Sequence, residues 1–322
     1  MRMRVLLTGA SGFVGAAVLQ ALSRNANVET VVPLRSPLRH VPAGVITYPI
    51  GDLTDDQTAE LQAHKPEVVV HCASRVHVMS DTAVDPLAEF RRINVNGTLA
   101  LARAASAAGA RRFVFVSSIK VNGEQTEPGK AYTADDLPRP VDPYGVSKHE
   151  AEQGLLALGA QTGMQIVIIR PVLVYGPGVK ANFLSMMRWL DRSVPLPFGA
   201  IHNRRSLVAL GNLVDLVLTC IDHPAAADQV FLVSDGEDLS TTQLLGRMAQ
   251  ALGKPARLLP VPAWVLSSAA KALGKAALSQ RLCGSLQVDI GKTRELLGWQ
   301  PPVSVDAALL ATARHYQEND KK

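Results

Sequence analysis

The segment that most restricts the fold lies at the start of the chain, Thr8-Gly9-Ala10-Ser11-Gly12-Phe13-Val14-Gly15. It follows an apolar run, Val5-Leu6-Leu7, and opens a helical pattern of apolar residues from Phe13 to Ser23. Three glycines at this spacing between a strand and a helix have separate jobs. Gly9 permits a tight turn, Gly12 lets the backbone approach a pyrophosphate, and Gly15 lets the helix pack closely on the strand. The helix start then offers unpaired N–H groups and the positive end of its dipole to the phosphates. The turn predicts a dinucleotide site formed by Gly9, Ser11, Gly12, Phe13, Val14 and Gly15.

The rest of the first two-thirds repeats the same theme. Short apolar runs at 29–34, 46–49, 68–72, 113–117 and 165–170 alternate with helical patterns at 86–108 and 143–158. Such alternation predicts an α/β fold, a doubly wound parallel sheet of Rossmann type with helices on both faces. One more strand, around 230–233, arrives late, so 176–205 reads as an excursion from the sheet. Beyond 238 the pattern turns to helices and prolines, with Ser240 starting a helix that runs to Ala251. The expected division is a nucleotide-binding domain at 1–175 and 206–237, a smaller α/β substrate lobe at 176–205 and 238–316, and a flexible tail at 317–322.

Composition excludes several classes. The longest apolar stretch, 261–277, contains Pro262, Lys271, Gly274 and Lys275, so no membrane span is expected. The first strand begins too early to leave room for a signal peptide. Cys72, Cys220 and Cys283 are far apart, which argues against disulfides and a metal site and for a reducing cytoplasm. The net charge of +5 suits an anionic small molecule; dispersed basic residues and 5% aromatics make nucleic acid an unsuitable partner.

The second strand ends at Arg35, where a carboxylate would select NAD by binding the adenosine ribose. A guanidinium suits a 2′-phosphate, so NADP(H) is favoured, with NAD(H) as the alternative. Asp52 and Leu53 follow the third strand and are placed for the adenine ring. Asp142-Pro143 has the form of a capped helix start. Tyr144 and Lys148 then lie one turn apart on one face, where the ammonium is expected to stabilise a phenolate. Ser118, just beyond the strand at 113–117, would point into the crevice beside Tyr144, and Lys148 would also reach the nicotinamide ribose.

These motifs, with His71-Cys72-Ala73-Ser74, Asn94-Val-Asn-Gly-Thr98 and Arg170-Pro-x-x-Val-Tyr-Gly-Pro177, resemble the extended short-chain dehydrogenase/reductases of the NAD-dependent epimerase/dehydratase family. The resemblance covers nearly the whole chain. It implies Ser118, Tyr144 and Lys148 as the catalytic triad, supported by Asn94. It implies that Cys72, Ala73, Ser74, Val116 and Pro171 line the cofactor. For a UDP-sugar substrate it implies Asn182 and Phe183 at the diphosphate and base, and Arg205 and Arg281 as a diphosphate clamp. Arg75 and Lys120 read either as sugar or diphosphate contacts or as surface ion pairs, and His71 and His77 as packing residues. Family members pair as dimers through two long helices, here 86–108 and 143–158.

Dehydratases of the family carry Thr-Asp-Glu where this chain has Ser118-Ile119-Lys120, so elimination lacks its acid–base pair. Arg35, and Leu173 at a position where epimerases often carry Asn, favour a reductase using exchangeable cofactor. Residues 117–123, 179–183 and 281–289 resemble bacterial reductases of UDP-4-keto-6-deoxy-N-acetylglucosamine, which serve O-antigen synthesis. The expected activity is therefore C4-ketone reduction giving UDP-N-acetylquinovosamine. A UDP-glucose or UDP-N-acetylglucosamine 4-epimerase holding NAD is the alternative, and a non-catalytic NADP-binding regulator is a remote third.

Overall fold

The computed structural model describes residues 2–76, 85–127, 129–272, 274, 280 and 282–319. Numbered in chain order, its main strands are β1 (Met3–Thr8), β2 (Val28–Leu34), β3 (Ile46–Pro49), β4 (Val68–His71), β5 (Arg112–Val116), β6 (Gln165–Pro171) and β9 (Gln229–Val233). They form one parallel sheet in the order β3-β2-β1-β4-β5-β6-β9. Val5 to Leu7 and Val68 to Val70 have no exposed surface. A sheet covered on both faces has no wet side, which is why these runs are continuously apolar.

One cover is α1 (Phe13–Ser23) packed on α7 (Leu210–Asp222); the other comprises α2 (Thr58–His64), α4 (Thr98–Ala107) and α5 (Pro143–Thr162). Neighbours β1 and β4 mark where the strand order reverses, so a crevice opens beyond their carboxyl ends. That crevice is where the site lies. Two helix starts follow the sequence closely. Asp142 caps α5 by accepting from the Gly145 N–H at 2.7 Å, and Ser240 forms a reciprocal capping box with Gln243 at the head of α8 (Thr241–Ala251).

A second sheet joins β7 (Leu173–Tyr175), β8 (Arg205–Ala209) and β10 (Asp238–Leu239) in the order β10-β8-β7. With α6 (Ala181–Asp191), α8 and α11 (Val305–Asn319) it encloses its own apolar cluster, including Tyr175, Phe183, Leu245 and Leu309. The remaining helices are α9 (Ala263–Ala272) and α10 (Gly291–Leu297).

Three differences from the sequence reading have local causes. The helix expected at 86–108 is three pieces: α3 (Pro86–Arg91), a π-helical turn at Arg92–Gly97, and α4. Residues 205–209 join the small sheet, and β9 makes the return to the large one. Gln317, Glu318 and Asn319 continue α11 rather than fraying, while 320–322 lie outside the described residues. No helix among the described residues is long and apolar enough to cross a membrane.

Candidate active site

At Gly9 and Gly15 the turn leaves no room for a side chain. Gly9 has a φ of +74°, and a Cβ there would lie 2.6 Å from the Ala73 nitrogen; a Cβ on Gly15 would fall on the Gly9 carbonyl. Gly12 is the extended N-cap of α1 and no side chain caps this helix start. Its amides are thus directed at whatever lies in the crevice, and the cradle fits the diphosphate of a dinucleotide. Phe13 and Val14 are half-buried in the first turn and Ser11 is exposed. Arg35 is exposed one residue beyond β2. Asp52 pairs with Arg92 at 3.1 Å. Leu53 is buried against Gly97, so its side chain belongs to the core rather than to an adenine pocket.

The end of β4 forms the floor. His71 is fully buried, with Nδ1 2.7 Å from Thr8 Oγ1 and Nε2 3.0 Å from Thr98 Oγ1. Burial, helped by the charge of Lys148, lowers its pKa to about 3, so it stays neutral and serves packing, as expected. Cys72, Ala73 and Ser74 follow, half-buried. Burial pushes the Cys72 thiol up to about 12. Asn94, held in the π-helical turn, ties this floor to α5. Its Oδ1 accepts from Ser74 Oγ at 3.0 Å and from the Arg75 N–H at 2.8 Å. Its Nδ2 donates to the Arg75 carbonyl at 3.1 Å and to Ser147 Oγ at 3.0 Å.

Along α5, Tyr144 and Lys148 do share a face. Tyr144 meets Phe90 edge-on, with centroids 6.0 Å apart. Lys148 is 1% exposed; its Nζ donates to the Val116 carbonyl at 2.9 Å and sits 4.4 Å from the Phe115 ring centre. Ser118 lies two residues beyond β5 with its Oγ accepting from the Lys120 N–H at 3.3 Å. The expected depression of the phenol is corrected by this geometry. Burial pushes Tyr144 up to about 12, against the smaller lowering effects of the Ser74 and Ser118 hydroxyls. Lys148 donates one hydrogen bond to the Val116 carbonyl, and burial brings it down to about 8, opposed by Cys72 and Glu152.

Glu152 was not anticipated. It is the third member of the same face, after Tyr144 and Lys148, and it accepts from Ser117 Oγ. Arg170 of β6 forks onto its two oxygens at 3.0 and 2.6 Å and donates to Asn122 Oδ1 at 3.0 Å. This buried ion pair pins that face of α5 to the ends of β5 and β6. The four-residue spacing of Tyr144, Lys148 and Glu152 was the available signal.

The residues read as substrate contacts scatter. Lys120 pairs with Glu124 at 2.8 Å and with Asp142, so it braces the α5 cap rather than reaching toward a sugar. The Arg75 guanidinium lies 5.5 Å from the Phe90 ring centre. Phe183 is 2% exposed and stacks on Tyr175 at 5.4 Å, which withdraws its ring from any base. Asn182 is exposed at the start of α6. Arg205 donates to the Gly284 carbonyl at 3.0 Å. Arg281 and His77 lie outside the described residues.

With the parallel sheet, the glycine cradle and this α5 face in place, comparison with known proteins assigns the class. Residues 5–234 match the NAD dependent epimerase/dehydratase family, and the chain belongs to it. It is an NAD-dependent enzyme of the extended short-chain dehydrogenase/reductase type. A UDP-glucose 4-epimerase of Vibrio cholerae is 46% identical over 99% of this chain and 97% of its own length. Two solved structures share the fold. A UDP-glucose 4-epimerase of Thermotoga maritima, in complex with UDP-glucose, has a TM-score of 0.80 at 21% identity, covering 99% of this chain and 100% of that one. A UDP-glucose 4-epimerase of Thermus thermophilus, in complex with NAD, has a TM-score of 0.79 at 23% identity, covering 98% and 100%.

The expected C4-ketone reductase is corrected by the full-length 46% relative, whose name is that of an epimerase. The residues behind the reductase reading are weak discriminators. Arg35 is exposed, and Leu173 is 50% exposed at the start of β7. Neither fixes whether a keto-sugar is released or turned over in place.

Proposed function

We propose that the protein is a 4-epimerase of a UDP-hexose, interconverting UDP-glucose and UDP-galactose or their N-acetylated forms with retained NAD. The observation that carries this reading is the 46% identity, end to end, to a UDP-glucose 4-epimerase. Bound NAD supplies a hydride acceptor for C4 and a hydride donor for the opposite face of the turned keto-sugar. The protein's own part is proton handling and orientation. As a phenolate, Tyr144 Oη takes the proton of the C4 hydroxyl when that carbon is oxidised and returns it when the ketone is reduced; hydrogen bonds from the Ser74 and Ser118 hydroxyls support the phenolate form. Lys148, fixed beneath them by Val116, orients the nicotinamide ribose. Asn94 keeps the 72–75 floor in register with α5.

In the same reading Gly9, Gly12 and Gly15 with Ser11, Phe13 and Val14 hold the diphosphate of NAD, and Cys72, Ala73, Val116 and Pro171 line its path. Arg35 is the residue that would read a 2′-phosphate, so NADP stands as a weaker competitor. Asn182, Arg205 and Arg281 take the UDP diphosphate. The nucleotide-binding part comprises the large sheet and its flanking helices, and the substrate lobe the small sheet with α6, α8 and α11. A cytoplasmic homodimer through the outer faces of α4 and α5 completes the proposal.

The test is incubation of purified protein with UDP-galactose and no added cofactor, with product identified by chromatography. Formation of UDP-glucose supports the reading. Turnover seen only with a 4-keto-sugar and added NADPH contradicts it.

A further inference from the structure

The substrate-side lobe carries a surface that the chemistry above does not use. Segments 194–200 and 257–262 run alongside each other, joined by Leu196 N–H to the Arg257 carbonyl at 2.9 Å, Leu259 N–H to the Leu196 carbonyl at 2.8 Å and Gly199 N–H to the Leu259 carbonyl at 2.8 Å. This pair of segments and the helices on either side of it in the chain carry four exposed large apolar side chains: Trp189, Val194, Leu259 and Trp264. Trp264 is 72% exposed on α9, a helix with no buried residue. Trp299, by contrast, is buried.

The charge around this strip has one sign. Between Asp238 and Asp289 the sequence contains no acidic residue. Arg257 and Lys271 are exposed within that run, and Arg188 and Arg192 are exposed beside Trp189. Asp191, in the same segment, is largely buried and lies 3.8 Å from Lys254. Exposed indoles with aliphatic neighbours and a basic rim match the boundary of an anionic bilayer. There the ring sits at headgroup level and the cations meet lipid phosphates. A second copy of this chain fits poorly, since a self-complementary contact would set this basic rim against itself.

We propose that the strip formed by 189–200 and 257–271 docks the enzyme reversibly on an anionic lipid surface, independently of the epimerase reading. No membrane span is involved; the association is peripheral and weakens with salt.

The experiment is co-sedimentation of the full-length protein with phosphatidylcholine vesicles and with equimolar phosphatidylcholine–phosphatidylglycerol vesicles. Binding to the anionic vesicles alone, reversed by added salt, is expected. Arg257→Gln with Lys271→Gln should weaken it about 25-fold, at roughly fivefold per basic residue. Trp264→Ala should weaken it about tenfold. Circular dichroism and turnover of soluble UDP-sugar should match wild type in both variants, which separates this proposal from the catalytic one. No binding to anionic vesicles, equal binding to neutral ones, or unchanged binding in the variants would overturn it. So would a shift of Trp264→Ala to a smaller oligomer.

Discussion

The glycine turn and the substrate lobe were both read from the sequence, and they behave differently in three dimensions. At the turn, Gly9 and Gly15 sit where backbone meets backbone and a side chain would collide, while Gly12 is the extended cap of α1. In the lobe, the residues read by resemblance serve different ends. Phe183 is in the core, Arg205 is on a backbone carbonyl and Asn182 is exposed. A constraint set within eight residues of chain is visible in the sequence. One that depends on which distant segment arrives opposite is not.

The sharpest way to test the catalytic side of this contrast is Tyr144→Phe. Loss of the proton-exchanging hydroxyl should cut kcat by roughly 10²–10⁴-fold while NAD remains bound. Fluorescence of bound NADH checks the second half, and full turnover in the variant would break the account. On the lobe side, Phe183→Ala should cost about 3–5 kcal/mol of stability, with KM for the UDP-sugar little changed in the protein that remains folded. A large rise in KM with unchanged melting would return Phe183 to the substrate.

Arg170→Met removes one partner of the buried pair with Glu152 and should also destabilise by about 3–5 kcal/mol, read by urea denaturation. Lys120→Met, which breaks half-exposed ion pairs, should cost no more than about 1 kcal/mol. A further test is the pH dependence of stability. Lys148 loses its proton at about pH 8 in the folded chain and near 10.5 when unfolded, so its buried charge opposes folding below pH 8. Lys148→Met should therefore be more stable than wild type at pH 7. That advantage should shrink as pH rises from 8 toward 10.5, and a constant difference would contradict the burial of Lys148.

Much of the fold was legible because its signals are local. The apolar runs gave the strands of the large sheet to within a residue or two, and Asp142-Pro143 and Ser240 marked helix starts that the structure keeps. That Tyr144 and Lys148 share a face was legible from their spacing, and their reading as a site came from that spacing together with the strand end at Ser117-Ser118. The π-helical turn at 92–97 was not, because one extra residue per turn leaves no trace in the apolar period, although it carries Asn94. Glu152 and Arg170 were missed because their pairing links a helix to a strand 18 positions away. The direction of the Tyr144 shift was not legible for a related reason: the spacing to Lys148 showed proximity, but not the burial that pushes the phenol up.

The central claim, that one retained cofactor removes and returns the same hydride, is tested by following label at C4. UDP-galactose deuterated at C4 should give UDP-glucose with the deuterium retained at C4, even with excess unlabelled NADH in the medium. Deuterium lost from the product and recovered in free NADH would show that the cofactor leaves between the two transfers, and would contradict the account.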